Sequence, residues 1–382
     1  MTEFIRLDDD ERIVAFPRPS TSGALVAWSE EKESPRHALE ELIRERLESG
    51  PCYVLFSGGR DSSGILATAV AVARRIGVED PIPVSVRFPG APDSIETEWQ
   101  ELVLEYLDVN ERIVFELGDD QTWLSEGAQR SLRRNGLLWP AAVHVWQSVF
   151  ESLSGGSLLT GENGDMVLSG RRITPLIDAM RTGHPRRALR ALRWISDDRK
   201  RSAQSGRMLA EDLPWLTSEG RQIAASYRWP IAPLNWSRAL AAVVASRPAR
   251  LVDTNLSGMI ASNGLIPLHP LGHPRFVSAL CGAGGLVGLG DRTAMMRSLF
   301  AGLLPDAVLA RSSKASFDQT RWGPVEREFV QTWSGLGVSA RFIDSDRLRD
   351  TWMSERPGSL SELHLHAAWL AQNNLPLVPH GS

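Results

Sequence analysis

Cys52-Tyr53-Val54-Leu55-Phe56-Ser57-Gly58-Gly59-Arg60-Asp61-Ser62-Ser63 joins a short apolar run to a turn of small residues, and the rest of this 382-residue chain can be read outward from it. Five apolar residues without alternation are the pattern of a strand buried on both faces. A small-residue helix over 62–75 follows the turn. The two glycines let the backbone turn tightly and let anion oxygens approach. The helix behind them directs free N–H groups and the positive end of its dipole at the same point. Ser57, Ser62 and Ser63 add hydroxyl donors. Asp61 would repel phosphate by itself, so its expected task is to hold Mg²⁺ that bridges phosphate oxygens. The Gly-Lys-[Ser/Thr] ending of a Walker A loop is absent, and so is Gly-x-Gly-x-x-Gly.

Upstream, residues 1–35 read as a short junction segment. Arg12-Ile13-Val14-Ala15-Phe16 and Ala24-Leu25-Val26-Ala27-Trp28 flank Pro17 and Gly23, the pattern of a hairpin or two small strands. Ser34-Pro35 supplies the cap and first-turn proline of a helix with Leu39, Leu42, Ile43 and Leu47 on one face, and Gly50-Pro51 stops it. Downstream, strands are expected over 82–88, 113–117 and 157–160, and helices over 94–107, 121–134 and 140–153. In the first of these helices Ile95, Trp99, Leu102, Val103 and Tyr106 recur at helical spacing. Alternating strands and helices imply a parallel α/β sheet with right-handed crossovers. From about residue 175 the pattern is helix after helix, ending after about 340 in a last layer with Trp352, Leu360, Leu363 and Trp369. The expected organisation is a junction over 1–35, an α/β core over 36–175, and a mainly helical part over 176–382. That last part closes the substrate cleft and sets specificity.

Thr160-Gly161-Glu162-Asn163-Gly164-Asp165 follows another short strand. Loops leaving the C-terminal ends of parallel strands gather on one edge, so this loop is expected to face the first. Asp165 then shares the magnesium with Asp61, and Glu162 is placed to act as a general base on an incoming amine. Alone, the segment is an acidic surface turn; the pairing gives it weight. A third segment, Arg311-Ser312-Ser313-Lys314-Ala315-Ser316-Phe317, carries a lysine that periodicity does not single out.

A net charge of −4 gives no reason to expect a nucleic-acid partner. The basic run over 181–201 also carries Leu189, Leu192, Trp194 and Ile195, and reads as a solvated helix face. No stretch of 18 apolar residues and no signal-type N-terminal core appear, so no membrane partner is expected. Two cysteines, Cys52 and Cys281, make neither a disulfide framework nor a zinc site, and fit a reducing cytoplasm.

Ser57-Gly58-Gly59-Arg60-Asp61-Ser62 resembles the PP-loop of N-type ATP pyrophosphatases. Leu159-Thr160-Gly161-Glu162-Asn163-Gly164-Asp165 resembles the second signature of the asparagine synthetase group. Leu265-Ile266-Pro267-Leu268-His269 and the segment 302–314 resemble its later parts, in the same order across about 36–330. That group includes β-lactam synthetase and the cyclases of lasso peptides. The resemblance implies an α/β fold: a parallel five-stranded PP-loop sheet, adenine nucleotide α-hydrolase-like, with a largely helical C-terminal half. It implies ATP and Mg²⁺ as cofactors. A substrate carboxylate attacks the α-phosphate, pyrophosphate leaves, and an amine converts the acyl-adenylate into an amide and AMP. By the same resemblance Ser57, Gly58, Gly59 and Ser62 hold the pyrophosphate part, while Leu55, Gly161 and the region of Ser85 and Arg87 line the rest of the ATP. Asp61 and Asp165 hold magnesium, Glu162 takes the place of the glutamate of the asparagine-forming branch, and Lys314 that of the lysine that stabilises the reaction's charge.

Three departures shape the expectation. Asparagine synthetases begin with a glutaminase domain whose Cys follows the initiator Met, whereas Thr2 stands here and few residues precede the PP-loop. The amine is therefore expected from the substrate itself, or through a partner protein that delivers ammonia or substrate. The usual Pro-Phe-Leu-Asp is Pro267-Leu268-His269-Pro270, which points from asparagine towards a specialised ligase on a small-molecule or peptide carboxylate: lasso-type macrolactam closure or a β-lactam-synthetase-like reaction. Asn163 replaces a glycine and can take the left-handed conformation. Two other readings stand beside this one. One is a sulfur-transfer or tRNA-modifying PP-loop enzyme, which needs a reactive cysteine. The other is a non-catalytic nucleotide-binding scaffold of a biosynthetic complex.

Overall fold

Five strands form one parallel sheet in the order β3-β2-β1-β4-β5: β1 Cys52–Leu55, β2 Ile82–Arg87, β3 Ile113–Glu116, β4 Ser157–Leu159 and β5 Ile266–Leu268. The computed structural model describes residues 4–20, 33–87, 96–117, 121–311, 321–358 and 360–379. Val54 pairs with Pro83 on one side and Leu159 on the other, so β1 runs through the middle. Pro83 is tolerated because β3 joins β2 only from Val84 onward, and Pro267 because β5 is an edge strand.

The helix Arg60–Ile76 returns the chain from β1 to β2, and Thr97–Leu107 returns it from β2 to β3. One face of the sheet is covered by these two helices, by Pro35–Leu47, and by Pro274–Gly284 and Arg292–Phe300 from far along the chain. Val54, Phe56, Ile65, Leu66, Phe276 and Phe300 are buried together there. On the other face Tyr53, Val84 and Leu158 meet Phe150, Met259 and Ile260. A separate core joins Leu7 and Val14 to Trp215, Trp352 and Trp369, so the expected C-terminal helical layer is present, formed by Ser345–Met353 and Glu362–Gln372.

The structure corrects two expectations. Arg12–Phe16 is not a strand: a helix spans Asp9–Val14. Asp8 accepts from the Glu11 amide at 2.8 Å and Glu11 accepts from the Asp8 amide at 3.0 Å, a capping box that outweighs the β-branched pair Ile13-Val14. The Glu11 carboxylate is fully buried against Arg247, at 2.5 Å. The partner segment 24–28 lies outside the described residues. In the helix Thr97–Leu107 the buried face is Gln100, Val103, Leu104 and Leu107, while Leu102 and Tyr106 are exposed. Of the expected stripe Val103 is buried and Trp99 packs against the main core, Ile95 lies outside the described residues, and Gln100, which donates from its Nε2 to the Ser57 carbonyl at 3.3 Å, joins the buried face.

Among the described residues no helix is long and apolar enough to cross a membrane. Both cysteines are free and buried.

Candidate active site

The strand order places a reversal between β1 and β4: the chain winds outward from β1 through β2 to β3, then crosses back to β4 on the other side. At such a point the loops leaving neighbouring strands diverge and open a crevice beyond their C-terminal ends. The loop after β1 and the loop after β4 both line a cavity of about 690 Å³ there.

The first loop is held by its own hydroxyls. Ser62 Oγ accepts from the Ser57 amide at 3.2 Å and donates to the Gly59 carbonyl at 3.1 Å, and Ser57 Oγ accepts from the Gly59 amide at 3.2 Å. Gly58 takes a φ of +81°, a conformation that favours glycine, and a Cβ there would press on the backbone of Glu96 and Gln100 at 3.2 Å. Gly59 caps the helix without a side-chain bond, so the first amides of Arg60–Ile76 are available to an anion in the cavity.

Arg311 fixes this loop from below. Its guanidinium donates to the Gly58 carbonyl at 3.1 Å, forms a two-pronged ion pair with Glu96, and lies over the Trp99 ring at 4.5 Å.

The second loop leaves β4 beside the first. Gly161 approaches so closely that a Cβ would stand 2.8 Å from the Ser62 amide nitrogen, and a Cβ on Gly164 would collide with the Asp61 carboxylate. Asn163 has φ +68° in the left-handed region, as expected for the residue that replaces a glycine. Its side chain bonds Asp253, and Gly272 leaves it room. Thr160 Oγ1 accepts from the Glu162 amide at 3.1 Å and bonds His269 Nδ1 at 2.7 Å. Burial lowers the His269 pKa to about 4, which keeps the ring neutral. A neutral histidine thus anchors the loop that carries Glu162.

Between the loops, Arg292 bridges two carboxylates. One of its terminal nitrogens contacts both oxygens of Asp61 at 2.7 and 2.6 Å, and the other contacts Asp165 at 2.6 Å. Burial pushes the Asp61 pKa up by more than the Arg292 charge pulls it down, and Asp165 adds to the rise. The lining also includes the apolar Val84, Val86, Trp146, Pro248, Val252 and Leu256, and the polar Gln121 and Arg321.

Of the residues singled out by sequence, Leu55, Ser57, Gly59, Asp61, Ser62, Gly161, Glu162 and Asp165 line this one cavity, and Gly58 sits in the floor of the loop. Ser85 and Arg87 are placed otherwise. Ser85 Oγ donates to the Phe56 carbonyl at 2.7 Å and Arg87 pairs with Glu101 at 3.0 Å, while their neighbours Val84 and Val86 form the wall. Lys314 lies outside the described residues. Sequence reading missed Glu96, Gln100 and Arg292. The only local sign for Arg292 is its position just after Asp291, which caps the helix Arg292–Phe300 by accepting from the Ala294 amide at 2.8 Å.

The donor set suits a hard cation. Asp61 and Asp165 offer carboxylate oxygens only, with a guanidinium already lying between them as a charge of the right sign. Among the described residues no group of three or more His, Cys, Asp or Glu could hold a metal alone, so ligand oxygens would have to complete such a site. The cysteines offer no sulfur chemistry: burial pushes the thiol of Cys52 up to about 12 and that of Cys281 up to about 11.

A family model described as asparagine synthase matches residues 35–372. No curated protein matches the chain.

Proposed function

This chain belongs to the asparagine synthase family of ATP-dependent carbon–nitrogen ligases, and on that premise we propose that it closes a lactam within a peptide by adenylating a carboxylate. The observation that supports the reading is the convergence of the Ser57–Ser62 turn and the Gly161–Asp165 loop on a cavity whose lining also carries an apolar stretch of Val84, Val86, Trp146, Pro248, Val252 and Leu256. A peptide brings apolar surface to cover that stretch, which a free acidic amino acid lacks. Pro270, standing where the family pattern has an acid, removes a charge there and fits the same substrate class.

In this reading the Ser57–Ser62 turn and the following helix N-terminus receive the β- and γ-phosphates. Asp61 and Asp165 hold Mg²⁺, which neutralises phosphate charge when bound. The carboxylate oxygen attacks the α-phosphorus and the bond to the β-phosphate oxygen breaks, so pyrophosphate leaves. The amine nitrogen then attacks the acyl carbon, the bond to AMP breaks, and the amine proton passes to Glu162, which is exposed on the cavity wall. Lys314 is proposed to stabilise the charge that develops.

ATP–pyrophosphate exchange tests the first step. Exchange is expected with peptides bearing a side-chain carboxylate and not with free aspartate, with Asp165→Asn inactive. A product lighter than the peptide by one water supports ring closure. Exchange with free aspartate, or none with any carboxylate, would refute the reading.

A further inference from the structure

We infer that Arg292 is the resident counter-cation of the Asp61–Asp165 pair, and that a divalent metal enters only when nucleotide phosphate draws its guanidinium away. The inference rests on the reading that these two carboxylates hold the metal. It adds that the site is blocked by the chain's own charge until nucleotide arrives.

The geometry is specific. Arg292 uses both terminal nitrogens, one on Asp61 and one on Asp165, and so occupies the space between the oxygens that a metal would need. The backbone beneath it is fixed. Met295, Met296, Leu299 and Phe300 of the same helix are buried in the main core, and Phe300 packs on Gly64. Release therefore means swinging a side chain, not moving a helix. Arg60 lines the same cavity and binds Thr293 Oγ1 at 3.4 Å, which puts a second guanidinium beside the path. Near an anionic triphosphate Arg292 would exchange carboxylate for phosphate oxygens at little cost, because guanidinium binds both geometries in the same forked way. Once Arg292 leaves, the two carboxylates, Asp61 largely buried and Asp165 exposed, lose the cation between them, and a divalent ion replaces the lost charge.

The test is Mn²⁺ binding followed by electron paramagnetic resonance, with and without α,β-methylene-ATP. The wild-type protein is expected to bind Mn²⁺ at least tenfold more tightly with the analogue than without it. Arg292→Ala should bind Mn²⁺ at least tenfold more tightly than wild type in the absence of nucleotide, with Arg292→Gln confirming the gain in a bulkier, uncharged form. Asp165→Asn should remove the site in either background. If analogue-dependent, Asp165-dependent binding persists but neither Arg292 variant gains nucleotide-free affinity, the inference falls and the metal reading stands. If no Asp165-dependent binding occurs even with the analogue, the metal reading falls with it.

Discussion

The Arg311 guanidinium and the Glu96 carboxylate meet in two prongs beneath the Gly58 carbonyl, both side chains only 5% exposed. This pair holds the Ser57–Ser62 turn to the helix that begins at Thr97. Removing one partner leaves a buried charge, which typically costs about 3–5 kcal/mol. Arg311→Met and Glu96→Gln should each lower stability by that order in urea unfolding and weaken ATP binding. The double variant should lose less than the sum of the two, since neither charge is then stranded. Additive losses would show that the two act separately.

Gly161→Ala should leave the fold intact and damage the site. Its Cβ would stand 2.8 Å from the Ser62 amide nitrogen, a backbone atom that cannot swing aside. The expected result is at least a tenfold rise in Kd for ATP with little change in Tm, checked by calorimetric titration beside thermal melting. An unchanged Kd would mean that the two loops can part freely.

Stability should fall steeply on mild acidification. His269, His364 and His366 are buried with pKa values lowered to about 4, in each case first by burial, and His144 is lowered in the same direction. The folded values lie below the unfolded value of about 6.5, so the unfolded chain takes up protons first as pH drops. Their contribution is complete above about pH 6.5 and is lost towards pH 4, on the order of 3 kcal/mol for each of His269, His364 and His366. Differential scanning calorimetry should show Tm falling across that window, and His269→Asn should reduce the slope. A flat Tm from pH 7 to 4.5 would contradict the buried neutral state.

Val252→Asp puts a charge on the apolar wall. The expected effect is a tenfold or larger rise in KM for a peptide substrate with KM for ATP within about twofold of wild type. Equal rises in both would assign that wall to the nucleotide.

Much of this was legible because local rules and fold agree. The buried run at Cys52–Leu55, the Ser34 cap and the alternation of strands and helices all describe elements whose formation needs few distant contacts. What escaped reading was decided at long range. Ile266–Leu268 is three residues with a proline inside, and it is a strand only because β4 supplies partners. Arg292 and Glu96 belong to no motif; the crossing of helices brings one between two carboxylates and the other under a glycine. The helix Asp9–Val14 is the reverse case, since Asp8 and Glu11 spelled out a capping box that the β-branched pair obscured.

The strand order also bears on how the molecule is born. β5 pairs with β4 across more than a hundred intervening residues, and Arg292 and Arg311 come later still. On a ribosome, the Ser57–Ser62 turn emerges early, yet Arg292 and Arg311, which contact it, are synthesised after three quarters of the chain. Nascent fragments ending before about residue 311 should therefore hold a turn without Arg311, and those ending before residue 266 a bare sheet edge. That calls for protection during translation.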